Sequence, residues 1–179
     1  RTHKMSQTKV DNLFLGQGAV VQVVTNVVSG GNTAVSSTTY TDTGATITIT
    51  PKLATSKIVV FARCAATLSK NDDVVMGGVK LVRNVGGGSF TDLVVPMADT
   101  NGPYEQQLEH TAGGNINGLT FNMNYSFLDD PDTTSACIYK LQARVYSTGS
   151  SHQWYFGNSG GGGGAQTQEM IAMEILSDS

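Results

Sequence analysis

Histidines, cysteines and clustered carboxylates carry most protein chemistry, and this 179-residue chain has few of them. His3, His110 and His152 are widely separated, and none belongs to an HExxH pattern that would bring two imidazoles to one metal. No GxSxG elbow, Walker loop or CxxC pair occurs either. A serine or cysteine nucleophile needs a base within hydrogen-bond reach, and no motif here supplies one. The expectation is a non-enzymatic protein with no catalytic residue, metal or cofactor. The turn Asp129-Asp130-Pro131-Asp132 offers carboxylate oxygens of the kind calcium takes. Asp and Pro also favour turns for backbone reasons alone, so a solvated turn is expected there and at Asn71-Asp72-Asp73.

Two cysteines, Cys64 and Cys137, are too few for a disulfide framework or a zinc site. Both fall on the inward phase of strands, which makes them buried free thiols. A disulfide would need their Cα atoms about 4.4–6.8 Å apart across the domain. The run His152-Gln153-Trp154-Tyr155-Phe156 holds the one tryptophan. Alternate members could be core, or the rings could meet a second subunit or the C–H faces of a glycan. His152, Trp154 and Tyr155 are therefore candidate ligand or subunit contacts. Leu13 and Phe14, apolar residues in a segment without sustained period, are candidate subunit contacts as well.

The elements that must position these groups are strands. Residues 1–17 read as an N-terminal arm or linker, and the domain as 18–179. Strict alternation of apolar and polar residues marks a half-buried strand. It is clearest where Leu119, Phe121, Met123, Tyr125 and Phe127 alternate with Thr120, Asn122, Asn124 and Ser126. Residues 136–147 place Cys137, Tyr139, Leu141, Ala143 and Val145 inward. Residues 56–66 do the same with Ile58, Val60, Ala62 and Cys64, and residues 74–84 with Val79 and Leu81. In the first strand Val21, Val23 and Val27 are assigned one face and Gln22 and Asn26 the other. In the last, 168–176, Ile171, Met173 and Ile175 are assigned inward.

Residues 33–43 are extended, Asp42-Thr43-Gly44 is a turn, and 46–50 is a strand stopped by Pro51, which cannot donate to a ladder. Gly86-Gly87-Gly88 is a turn, 89–97 an edge strand, and 98–115 a long loop with one short strand at 104–109. Gly160 to Gly164 is a flexible loop. These nine or ten short strands, with no helix, give an all-β fold: an antiparallel, jelly-roll-like β-sandwich.

Composition narrows the partners. Charged residues make up only 14%, against about 25% in an average domain. Thr, Ser, Asn and 21 glycines take their place. Net charge is −3 and the pI about 5.5, unlike a nucleic-acid binder. No apolar run is long enough to span a bilayer. Sparsely charged sandwich faces and exposed edges invite association, so a homo-oligomer, with a trimer favoured, is expected.

Four stretches taken together are similar to a known family. They are Gly18 to Val24, Tyr40 to Val60, Tyr125 to Val145 and Ile171 to Leu176. In order and spacing they resemble the β-sandwich domains of virion structural proteins of marine bacteriophages and some large algal viruses. Such proteins are tail-fibre, appendage or capsid-exterior components. The resemblance covers roughly residues 18–177. It implies an oligomeric component on the virion exterior; assembly in the host cytoplasm, contact with other virion proteins and a host-surface glycan as a further partner are expected alongside it. The alternative function is a carbohydrate-binding or adhesion module of a secreted protein.

Overall fold

The computed structural model describes residues 16–28, 33–70, 75–93, 105–110, 116–146, 153–157 and 167–177. They form eleven strands and, among the described residues, no helix. The strands are β1 (Val20–Val28), β2 (Thr33–Val35), β3 (Thr41–Ile49), β4 (Lys57–Lys70), β5 (Val75–Val85) and β6 (Thr91–Asp92). β7 (Glu105–His110), β8 (Ile116–Asp129), β9 (Cys137–Val145), β10 (Gln153–Phe156) and β11 (Gln168–Ile175) follow. All pairings are antiparallel, in one sheet of six strands and one of five.

Several strands share a line. β11 and β10 lie end to end along one edge of β4, opposite Lys57–Arg63 and Ala66–Ser69 respectively. β1 and β2 repeat that arrangement along β11 and β10. β8 runs along the other edge of β4. The first sheet is therefore four ribbons wide: β8, β4, β10/β11, β1/β2. The second is β3, β9, β5, β6/β7, because β6 and β7 share one edge of β5. Numbered in chain order, ribbons one, eight, three and six make one sheet, and two, seven, four and five the other. Nearly every connection crosses between the sheets, which is the jelly-roll order. The expected all-β sandwich is the observed fold.

Between the sheets lies one core. Ile58, Val60, Ala62 and Cys64 from β4 meet Val79 and Leu81 from β5 and the inward residues of β9, all fully enclosed. Met123 and Tyr125 are buried as the alternation requires, and Phe121 and Phe127 pack on the same cluster. Trp154 and Phe156 stack with centroids 5.9 Å apart. Trp154 sits against the backbone of Gly77, where an added Cβ would come within 2.7 Å of the indole. Only glycine allows that approach.

The segment Asp42-Thr43-Gly44 is not a turn. β3 continues through it, paired with β9 on both sides, with an irregularity between Asp42 and Thr46. Gly44 takes φ +92°, and Thr43 Oγ1 donates to the Leu141 carbonyl at 3.0 Å in place of a ladder bond. The same Gly and Asp that favour turns also make bulges, and pairing to β9 decided the outcome. The edge strand expected over 89–97 is β6, only Thr91–Asp92, with 94–97 outside the described residues. The short strand expected at 104–109 is β7. The loops expected at Asn71-Asp72-Asp73 and Gly160 to Gly164 also lie outside the described residues.

Both cysteines are free and buried, one in each sheet. Burial pushes the Cys64 thiol up to about 12. Burial, then the hydrogen bond to Asp129, also raises the Tyr139 phenol. The consequence is alkaline lability. As pH rises past the ordinary thiol value of 9.0, unfolded chains shed protons that the folded state holds until about 12. The folded state then binds more protons than the unfolded one, so stability falls with pH. Tyr139 joins above its ordinary value of 10.0. Each group costs about 1.4 kcal/mol per pH unit over its window. Denaturant midpoints at pH 8, 9.5 and 10.5 are expected to fall progressively, and a flat series would contradict the enclosed thiol.

Candidate interaction face

The outer face of the first sheet is built by an inversion that strand periodicity did not foretell. In β11 the enclosed residues are Gln168, Met170, Ala172 and Glu174, while Ile171, Met173 and Ile175 lie on the outer side and are only half-buried. In β1 it is Gln22, Val24 and Asn26 that turn inward, leaving Val23 and Val27 outside at 52% and 54% exposure. The inward assignment of Ile171, Met173 and Ile175 is thus reversed, while in β1 the split between Val23 and Val27 on one face and Gln22 and Asn26 on the other holds, with the valine face outermost.

The physical reason lies across the gap. β1 and β11 cover β3 and the β3–β4 turn, whose backbone presents polar groups that need partners. Asn26 Nδ2 donates to the Thr46 carbonyl at 2.7 Å, and Gln168 Nε2 to the Thr43 carbonyl at 3.0 Å. Gln22 Nε2 donates both to the Thr50 carbonyl at 2.7 Å and to Glu174 Oε2 at 2.6 Å. Glu174, fully enclosed, accepts the backbone N–H groups of Lys52 at 2.8 Å and Leu53 at 3.2 Å through Oε1. Burying these polar chains is tolerated because each makes at least one hydrogen bond, although Gln168 Oε1 is left without a partner. A bulge between Val20 and Gln22 helps set the phase.

Turning the polar residues in turns the apolar ones out. Register aligns Val23, Met173, Val59 and Leu128 in one row across all four ribbons. The next row is Thr25, Ile171, Phe61 and Ser126, with Phe61 at 41% exposure. Then come Val27, Glu169, Arg63 and Asn124, where Arg63 pairs with Glu169 at 3.6 Å. At the opposite end Lys57 pairs with Asp130 at 3.4 Å. Beside Phe61 lies a shallow depression of about 180 Å³ bordered by Arg63, Asn124, Ser126, Glu169 and Ile171. A contiguous apolar patch rimmed by charges is the usual mark of an interaction surface.

The outer face of the second sheet is different in kind. Lys80 lies over the Tyr40 ring at 4.0 Å and bonds Asp92 at 2.6 Å. Lys140 lies over Phe90 at 3.9 Å and bonds Asp42 at 2.6 Å. Arg144 stacks on Tyr40 and Tyr146. Burial opposes ionisation of Asp42, yet the bonds from Lys140 and Gln142 prevail and hold its carboxyl below the ordinary carboxylate range. These charges and rings are already matched to one another.

Of the residues singled out from the sequence, Trp154 is wholly enclosed in the core, and Tyr155 is half-buried with its hydroxyl on Gln153 Oε1. His152, Leu13 and Phe14 lie outside the described residues. The aspartate run is dispersed. Asp129 ends β8, buried, and takes Arg83 Nη1 on both oxygens at 2.6 and 2.8 Å and the Tyr139 hydroxyl at 2.6 Å. Asp130 turns to Lys57, and Asp132 is exposed with φ 47°. Among the described residues no three His, Cys, Asp or Glu side chains converge as a metal site would require, and no helix is long and apolar enough to cross a membrane. The outward Val23, Ile171 and Met173 went unrecognised because both phases of β1 and β11 carry apolar side chains. The signal available was the spacing of Gln22, Asn26, Gln168 and Glu174 on one phase. Searches of family models and of curated proteins give no match to this chain.

Proposed function

We propose that this chain is a non-enzymatic structural protein of a virion exterior, a fibre, appendage or capsid-decorating component that acts by associating with copies of itself and with other virion proteins. The apolar row Val23–Met173–Val59–Leu128 carries this reading. A sheet face that exposes aliphatic side chains while its own polar residues are turned inward is a surface made to be covered. The jelly-roll strand order is one that capsid proteins use, although lectins share it and the fold alone decides nothing. The four stretches that resemble phage virion proteins supply the rest of the reading, including assembly in a host cytoplasm and a host-surface glycan as a further partner.

Light scattering on the full chain at micromolar concentration is expected to give a mass above the 18.8 kDa of one copy. A monomer mass under those conditions would defeat the reading. A second reading, a carbohydrate-binding module, is favoured by the depression where Phe61 lies beside Arg63, Asn124 and Glu169. Glycan-array binding by a chain that stays monomeric would select it.

A further inference from the structure

We infer that the outer face of the first sheet packs on the same face of a second copy, about a two-fold axis running parallel to the strands between β4 and β11. The inference rests on the reading of that face as a contact surface and adds its partner, symmetry and register.

The charges fix the axis. In-plane two-folds either parallel or perpendicular to the strands would stack the two faces. A perpendicular axis at the centre of the patch carries the Lys57 end onto the Arg63 end and sets cation on cation. The parallel axis exchanges β4 with β11. Because Arg63 and Glu169 are cross-strand partners, it places Arg63 of each copy opposite Glu169 of the other. It likewise sets Phe61 against Ile171 and Val59 against Met173, and Leu128 against Val23 on the outer ribbons. An isologous contact must be self-complementary in this way. Sheets stacked face to face keep their strands within about 30° of alignment, which a parallel axis provides.

The area suffices. Four rows, the three described above and that of Val20, Ile175 and Lys57 with Asp130, lie about 7 Å apart on four ribbons about 4.8 Å apart and cover roughly 500 Å² per copy. The pair would bury about 1,000 Å² in all, the lower bound for a specific interface. A second copy also suits the chemistry better than a glycan, since the central row is aliphatic. A trimer would need a heterologous contact between unlike patches, which this self-matched pattern does not require.

Charge reversal tests the arrangement. Arg63→Glu makes the rim of the face wholly acidic at this row, and Glu169→Arg makes it wholly basic. Wild type is expected at twice 18.8 kDa by analytical ultracentrifugation. Each variant alone is expected as a monomer with unchanged β-type circular dichroism, its self-association weakened at least tenfold. An equimolar mixture of the two is expected to return to twice the chain mass, because unlike faces now match. Leu128→Lys, at a site 55% exposed and so tolerant in the single copy, is also expected to give a monomer. An oligomer of any size that survives both reversals and Leu128→Lys overturns this face while leaving self-association standing. A mixture of the reversed variants that stays monomeric overturns the axis. A monomeric wild type overturns both the interface and the reading beneath it.

Discussion

Asp129→Ala is expected to lower the free energy of unfolding by about 3–5 kcal/mol, the usual result of deleting one partner of a buried ion pair. Asp129 joins the two sheets. It sits on β8 in the first sheet and takes bonds from Arg83 on β5 and Tyr139 on β9 in the second. Its removal strands the guanidinium, whose Nε has no partner even in the intact network, and leaves the buried phenol without its acceptor. At about 2–4 °C per kcal/mol for a chain of this size, melting should fall by about 6–20 °C. Asp129→Asn keeps the shape and an acceptor oxygen, so its loss should be smaller. Replacing the pair together, as Asp129→Leu with Arg83→Met, should recover much of the deficit, since a packed apolar pair is often as stable as a buried salt bridge. A single variant costing under 1 kcal/mol would mean that water reaches the pair freely.

Trp154→Ala should cost a comparable 3–5 kcal/mol, the range for emptying a fully buried large aromatic. Here the site cannot easily collapse. Gly77 already lies against the indole with no side chain to move in, and Phe156 is held in its own stack by β4 and β2. Against a typical total of about 5–15 kcal/mol, this removes a large share of the stability. Chemical denaturation reads this directly, with the midpoint lowered and the slope unchanged. Self-association measured below the transition should persist, because Trp154 faces the core and not the outer row. Loss of association with full stability would place the indole at a contact instead.

These two residues mark how far the sequence could be read. β8 and β9 were legible because one phase is wholly apolar and the other polar, from Phe121 to Phe127 and, Ile138 apart, from Cys137 to Val145. Hydrophobic alternation then has one solution. β1 and β11 mix Val, Ile, Met and Ala into both phases. Their orientation is decided by bonds from Gln22, Asn26, Gln168 and Glu174 to a backbone that sequence alone does not place. The candidate face was missed for that reason, since it consists of residues that averaging by hydrophobicity sends indoors. Asp129 was read as a turn residue because its partner Arg83 is distant in sequence and on the other sheet. The enclosed indole at Trp154 was among the alternatives the aromatic run left open, and burial between facing sheets selects it.

The end-to-end seating of β10 and β11 has a practical consequence. Phe156 is registered on Ala66 and Glu169 on Arg63, so each strand holds its own place on β4 whatever joins them. Lengthening that junction costs only about 0.6 kcal/mol per doubling. Because both flanking strands are anchored independently, a foreign epitope inserted between β10 and β11 is expected to leave the registers of Phe156 on Ala66 and Glu169 on Arg63 unchanged.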